Sequence, residues 1–389
     1  SHLQFQPNQQ AVGQRLETAS FVMATSSQID PACFIRGARA HSAYLWDYEL
    51  PGTLGLEEDR AGYYLMAKPS LSMKDSIIAT TRLITDSPPP VESLLDEISR
   101  RGIPVLKQMA SGGSLSRGEL GILLAVRLLQ DAFREQNSGI RLPVTDNNVL
   151  NILLPVDSYR EPLSQFRRVL VPGSSEERPD LLVFSIRVPE NNPVQIKITP
   201  LEVKFRESNM SNLKIGKALR QAANLGALID KLWGQTLYNE LWTTCSMALL
   251  SQCLDQSFRV YADPRVHGVS GDKWVQLHQK VIHDILGLEA SITINSQGRS
   301  FIFDGSSTTS VVDMDGDGRQ DTAILCKSDA EFLLSGIGDI SEEGRDAVKL
   351  LDFSLPAGEE IQETTTDDTR PPDTSTLPIT SQPQPSDET

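Results

Sequence analysis

The chain has 389 residues, more than one ordinary hydrophobic core organises, so two or three regions are expected. Hydrophobic residues make up 39% and charged residues 22%, the composition of a folded protein, which excludes a wholly disordered one. The net charge is −15, no run approaches the roughly 18 apolar residues of a membrane span, and no secretory signal is legible, so a membrane protein is excluded and a cytoplasmic setting is expected. Cys33, Cys245, Cys253 and Cys326 form no CxxC pair. That spacing fits a reducing compartment and argues against a structural zinc site.

In chain order, residues 1–90 read as a mixed α/β region, with short strands at Ala43–Tyr48 and Gly62–Lys68. Pro88-Pro89-Pro90 breaks the chain. Val91–Arg101 then has helical periodicity, and a stronger apolar stripe predicts a helix over Ser116–Gln136. Strands are expected at Val149–Val156, Phe166–Val171 and Leu181–Val188. A fourth, Val194–Phe205, follows an Asn-Asn turn and bends at Pro200. A helix is expected over Ser211–Trp233, closing a compact α/β module at 91–240. Residues 241–355 form an accessory α/β region, with a helix at Gly271–Leu286 and strands at Ser291–Asn295, Ser300–Phe303 and Thr322–Lys327. Residues 356–389 are rich in Pro, Ser and Thr, and carry eight acids against Arg370 alone, a net of −7. Such a segment cannot bury enough apolar surface to fold, so it reads as a disordered linker.

Charge is unevenly spread. Between Arg160 and Gln221 eleven bases meet seven acids, a local excess of +4 in an acidic chain. That stretch holds Pro179-Asp180 and Glu202-Val203-Lys204. Side chains alternate along a strand, so Glu202 and Lys204 share one face while Leu201, Val203 and Phe205 share the other. Charges held in an apolar sheet need partners. Asp180, across the turn, is positioned to approach Glu202, and two converging carboxylates make a hard oxygen site suited to Mg²⁺. Two plainer readings stand beside this one. Asp180 is also a natural strand-start residue after a proline, and Glu202 with Lys204 is also a surface ion couple.

Pro179-Asp180 followed by Glu202-x-Lys204 resembles the signature of the PD-(D/E)XK nuclease superfamily, whose core runs helix, three-strand meander, helix, strand. The resemblance covers Gln108–Gly234. It implies that Asp180, Glu202 and the Val203 carbonyl bind Mg²⁺ or Mn²⁺ and that Lys204 assists the attacking water. It also implies an acid on the first core helix, where Glu119 matches, although Ser116-x-x-Glu119 reads equally as a capping box. RecB-like members carry a glutamine on the second helix, and Gln221 matches it; the aromatic expected four residues later is Leu225 here. Gln221 also fits a plain helix-surface amide. At 100° per residue Lys214, Lys217 and Gln221 fall within a roughly 60° arc that can meet a phosphodiester backbone. Residues 87–130 resemble the front part of large bacterial restriction or phage-defence proteins, which implies DNA as substrate and a motor ATPase beyond the linker. The alternative is a non-catalytic scaffold of the same fold that binds DNA or a protein.

Asp313-Met-Asp315-Gly-Asp317-Gly318-Arg-Gln-Asp321 has oxygen ligands at calcium-loop spacing, with Gly at position 6. Ile324 stands where an EF-hand has its closing acid, so the loop resembles the FG-GAP kind more. An acidic β-turn is the plain alternative. His278 and His283 lack the HExxH arrangement, and neither Gx4GK[ST] nor GxSxG is present. Cys245 and Cys253 lie among apolar residues and read as structural thiols.

Overall fold

The structure is a computed structural model. It describes residues 22–26, 44–49, 63–67, 71–100, 113–132, 144–146, 149–171, 179–208, 211–233, 240–262, 269–314, 320–336, 338–353 and 355. The linker expected after residue 356, the loop residues Asp315 and Asp317, and Cys33 lie outside the described residues.

A small antiparallel sheet forms from β1 (Val22–Ser26), β2 (Tyr44–Glu49) and β3 (Tyr63–Ala67), in the order β1-β3-β2. Helices α1 (Leu71–Thr81), α2 (Val91–Arg100) and α3 (Gly113–Ala132) follow. The main sheet then begins with β4 (Val144–Asp146) and β5 (Val149–Pro155).

Helix α4 (Arg160–Leu170) comes next. A strand was expected from residue 166, because 166–171 alone is an apolar-rich run. The burial of Tyr159, Leu163 and Phe166 shows the real period, three to four residues, and that period belongs to a helix.

The strands β6 (Leu181–Arg187) and β7 (Gln195–Arg206) complete an antiparallel meander with β5. Helix α5 (Asn212–Trp233) leads to α6 (Glu240–Val260) and α7 (Gly271–Leu286). The strands β8 (Ser291–Ile294), β9 (Arg299–Asp304), β10 (Val311–Met314) and β11 (Gln320–Leu325) finish the sheet. Helices α8 (Lys327–Ser335) and α9 (Glu342–Leu350) close the chain's described part.

The main sheet has eight strands, in the order β10-β11-β9-β7-β6-β5-β4, with β8 also paired to β7. It is mixed: β7, β9 and β11 run parallel, while the meander and the β10–β11 pair are antiparallel. The sheet crosses the boundary expected at residue 240, so the meander and the strands beyond it share one framework. The described residues from 22 to 355 belong to one compact unit.

Strand β7 runs unbroken through Pro200, where a bend was expected. Its first half pairs with β8 through Ile198, and its second half pairs with β9 from Leu201. Pro200 stands in the gap between those two partners, where its missing N–H interrupts no ladder.

Helices cover both faces. On one, α3 lays Leu120, Leu123 and Leu124 against Leu201, Val203 and Phe205, with α1, α2 and α8 contributing to the same core. On the other, α4, α5, α6 and α7 bury Phe166, Leu225, Leu250 and Trp274 against Phe184, Ile196 and Ile198. Helix α6 has no sequence-based forecast, yet it supplies much of this second core. Cys253 is buried there and burial pushes its thiol up, which suits a structural role.

Candidate active site

Strand β6 begins at Leu181, opposite Leu201 of β7. One step on, the register sets Asp180 opposite Glu202. Strand β6 offers no further ladder partner there, and the Asp180 side chain takes over: its Oδ2 accepts from the Val203 N–H at 2.8 Å. Its backbone carbonyl accepts from Val156 N at 3.1 Å. Asp180 is therefore fixed by β7 on one side and by the turn that follows β5 on the other. In a strand the N–H and C=O of one residue point to the same edge, so the Val203 carbonyl also lies on the Asp180 side.

Glu202 projects from the face opposite Val203 and is 1% exposed. Lys204, two residues on and on the same face, forms an ion pair with Glu202 Oε1; its side chain is 27% exposed. A buried carboxylate without a cation is strongly disfavoured, and Lys204 supplies the charge while reaching solvent. The group thus grades from the buried Glu202 to the half-buried Asp180 and Lys204. Opposed carboxylates, a backbone carbonyl and an ammonium make a hard-oxygen donor set with a proton donor beside it.

Helix α5 covers this face. Ile215 and Ala218 pack on Ile302. Gly298, whose φ is +66°, has no room for a side chain, because a Cβ there would strike Ala222 at 2.5 Å. Gln221 is half-buried on the flank of α5, and Lys214 and Lys217 are exposed, as expected of a charged face.

Glu119 stands apart. It is buried on α3, the helix that covers the other face of β7; a Cβ on Gly121 would lie 3.3 Å from Val203 Cγ1. The capping-box reading of Ser116 and Glu119 also fails, because α3 starts at Gly113 and Ser116 is already inside it. Among the described residues one group of three metal-ligating side chains closes within 4.8 Å, and it is His283, Asp284 and Glu289. Glu119, Asp180 and Glu202 therefore do not form a three-acid group.

That other cluster has a structural occupation. Asp284 is buried at the end of α7, and its Oδ2 accepts from Val194 N at 2.9 Å and from Lys280 Nζ at 3.4 Å. His283 Nδ1 lies 3.3 Å from Oδ1. Burial pushes the Asp284 carboxyl up, but the Val194 amide, His283 and Lys280 outweigh it and hold the group below its ordinary value.

At the acidic loop, Asp313 belongs to β10, where it pairs with Thr322 of β11. Asp321 is buried, and its Oδ1 accepts from Arg299 Nη1 at 2.9 Å. An arginine thus occupies the carboxylate that the calcium reading gave to an ion. Sequence reasoning missed two residues of the Glu202 rung: Ser300, paired with Glu202 across β7–β9, and Thr322, paired with Ser300 across β9–β11. Neither carries a signal of its own in the sequence, since Ser300 lies between Arg299 and Phe301 and Thr322 between Asp321 and Ala323; only the register of the sheet aligns them with Glu202. Among known proteins, no family model, no curated sequence and no solved structure matches this chain.

Proposed function

We propose that the chain is a metal-dependent phosphodiester hydrolase of the PD-(D/E)XK kind that cleaves DNA. The observation that carries this reading is the placement of Asp180 one residue before the Leu181–Leu201 pair of β6 and β7, with its Oδ2 on the Val203 N–H, and of Lys204 on the neighbouring Glu202. The order α3, β5, α4, β6, β7, α5, with β9 following after α6, α7 and β8 and running parallel to β7, supports it. Asp180, Glu202 and the Val203 carbonyl would hold Mg²⁺ or Mn²⁺, whose chemistry when bound is to neutralise phosphate charge and lower the pKa of water. Lys204 Nζ, more exposed than Glu202, orients the attacking water by donating to it. Lys214 and Lys217 hold the phosphate backbone by charge without reading bases. Gln221 steadies the substrate from the flank of α5. A restriction or phage-defence setting, with a motor ATPase as partner, follows from the likeness of residues 87–130. Calcium at Asp313, Asp315 and Asp317 is a companion proposal, with Asp321 engaged by Arg299.

The test is cleavage of linear and circular plasmid DNA by the full chain with Mg²⁺ or Mn²⁺. Asp180→Ala and Glu202→Ala should each abolish cleavage, and Lys204→Ala should slow turnover more than it weakens metal binding. Cleavage at the wild-type rate in both carboxylate variants contradicts the reading. The closed Glu202–Lys204 pair favours a second one, a non-catalytic DNA-binding scaffold. That protein would retain DNA, cleave none, and bind as well after Glu202→Ala.

A further inference from the structure

The rung that carries Asp180 and Glu202 does not end at β7. Glu202 is paired with Ser300 on β9, and Ser300 with Thr322 on β11. Both hydroxyl residues are buried. Their oxygens, Ser300 Oγ and Thr322 Oγ1, are 2.7 Å apart, and either can donate. The next rung on the same face reads Lys204, Ile302 and Ile324. Beyond Lys204, then, the sheet is aliphatic, whereas beyond Glu202 it stays polar for two more strands. Helix α5 approaches closely here through Ala218 and Ala222. Nothing in packing asks for hydroxyls at these two positions, because burying them costs free energy unless each finds a partner.

The chemistry of the pair gives the reason. When Thr322 donates to Ser300, the Ser300 proton is left for a further acceptor. The neighbouring polar side chain on that rung and face is Glu202, one strand away at about 4.8 Å between backbones. Lys204 is the cation that balances Glu202 in this structure. A divalent ion held by Glu202 would take over that role, and the Glu202 carboxylate would then need a fixed hydrogen-bond donor in place of Lys204. Ligating carboxylates are generally held by such outer hydrogen bonds. We propose that Ser300 is the positioning residue for the Glu202 carboxylate, with Thr322 setting the direction of its hydroxyl. This inference rests on the metal-site reading of Asp180 and Glu202.

The probe is Mn²⁺ itself, titrated into the full chain by calorimetry, with the melting temperature followed in parallel. Ser300→Ala should weaken Mn²⁺ binding by about tenfold or more, the usual cost of losing an outer-shell partner. Thr322→Val should weaken it less, and Ser300→Thr, which keeps the hydroxyl, should restore most of the loss. Ile302→Val, on the adjacent rung and equally buried, should lower the melting temperature and leave Mn²⁺ affinity unchanged. Wild-type affinity in Ser300→Ala overturns the proposal, as does an equal loss in Ile302→Val. A wild-type chain that takes up no Mn²⁺ overturns the metal-site reading first and this inference with it, an outcome distinct from binding that ignores Ser300.

Discussion

Two aspartates grip the same strand by the same bond. Asp284 accepts from Val194 N at 2.9 Å, just before β7 begins, and Asp180 accepts from Val203 N at 2.8 Å, in its second half. Around Asp284 the companions are the exposed His283 and Glu289, with Lys280. Around Asp180 the companions are a carboxylate that is 1% exposed and the lysine that balances it. Fastening a strand requires one acceptor, and Asp284 provides it. It does not require a second acid buried in the sheet beside the first. The excess of chemistry at Asp180 over what the fold needs separates a candidate site from a structural cluster, although only the latter closes a group of three ligating side chains.

Four measurements tell the two aspartates and their surroundings apart. Glu202→Ala should abolish measurable Mg²⁺-dependent DNA cleavage, a loss of at least about a hundredfold, or about 3 kcal/mol of transition-state stabilisation. Asp284→Ala should leave the metal requirement of cleavage untouched. It should instead cost about 1–3 kcal/mol of stability in denaturant unfolding, because the Val194 amide loses its acceptor. Replacing Lys214 and Lys217 together by Ala should lower the salt dependence of DNA binding by roughly one to two units of slope, at about 0.9 per phosphate contact, alike on unrelated sequences. The smallest effect is on acid stability. The Asp284 carboxyl lies below its ordinary 3.8 when folded, so it stabilises the fold above that value and ceases to as pH falls through the lower one. Asp284→Asn should therefore flatten the loss of stability below about pH 4 in pH-dependent unfolding.

Much of this was legible in the sequence. The alternation at 201–205 gave the two faces of β7, and the Asn-Asn turn gave the β6–β7 hairpin. Helix α5 was visible from its stripe. Other parts were hidden for identifiable reasons. Helix α4 looked like a strand because its apolar stripe begins at Tyr159, outside the window in which Phe166–Val171 was read. The joining of residues 241–355 to the meander was invisible because parallel pairing of β7 with β9 is a contact across about a hundred residues. Glu119 matched by position, but which face of the sheet its helix covers depends on tertiary packing, here on the close approach of Gly121 to Val203. Ser300 and Thr322 looked like ordinary strand residues until register aligned them with Glu202. Asp321 fitted a calcium spacing that takes no account of Arg299, twenty-two residues away and on the adjacent strand.

The most direct measurement is the anomalous difference map of a crystal of this protein soaked in Mn²⁺. The expected result is one peak held by the Asp180 and Glu202 carboxylates beside the Val203 carbonyl, with the Lys204 ammonium moved off Glu202. A peak at His283, Asp284 and Glu289 alone, or an unchanged Glu202–Lys204 pair at full Mn²⁺ occupancy elsewhere, contradicts it.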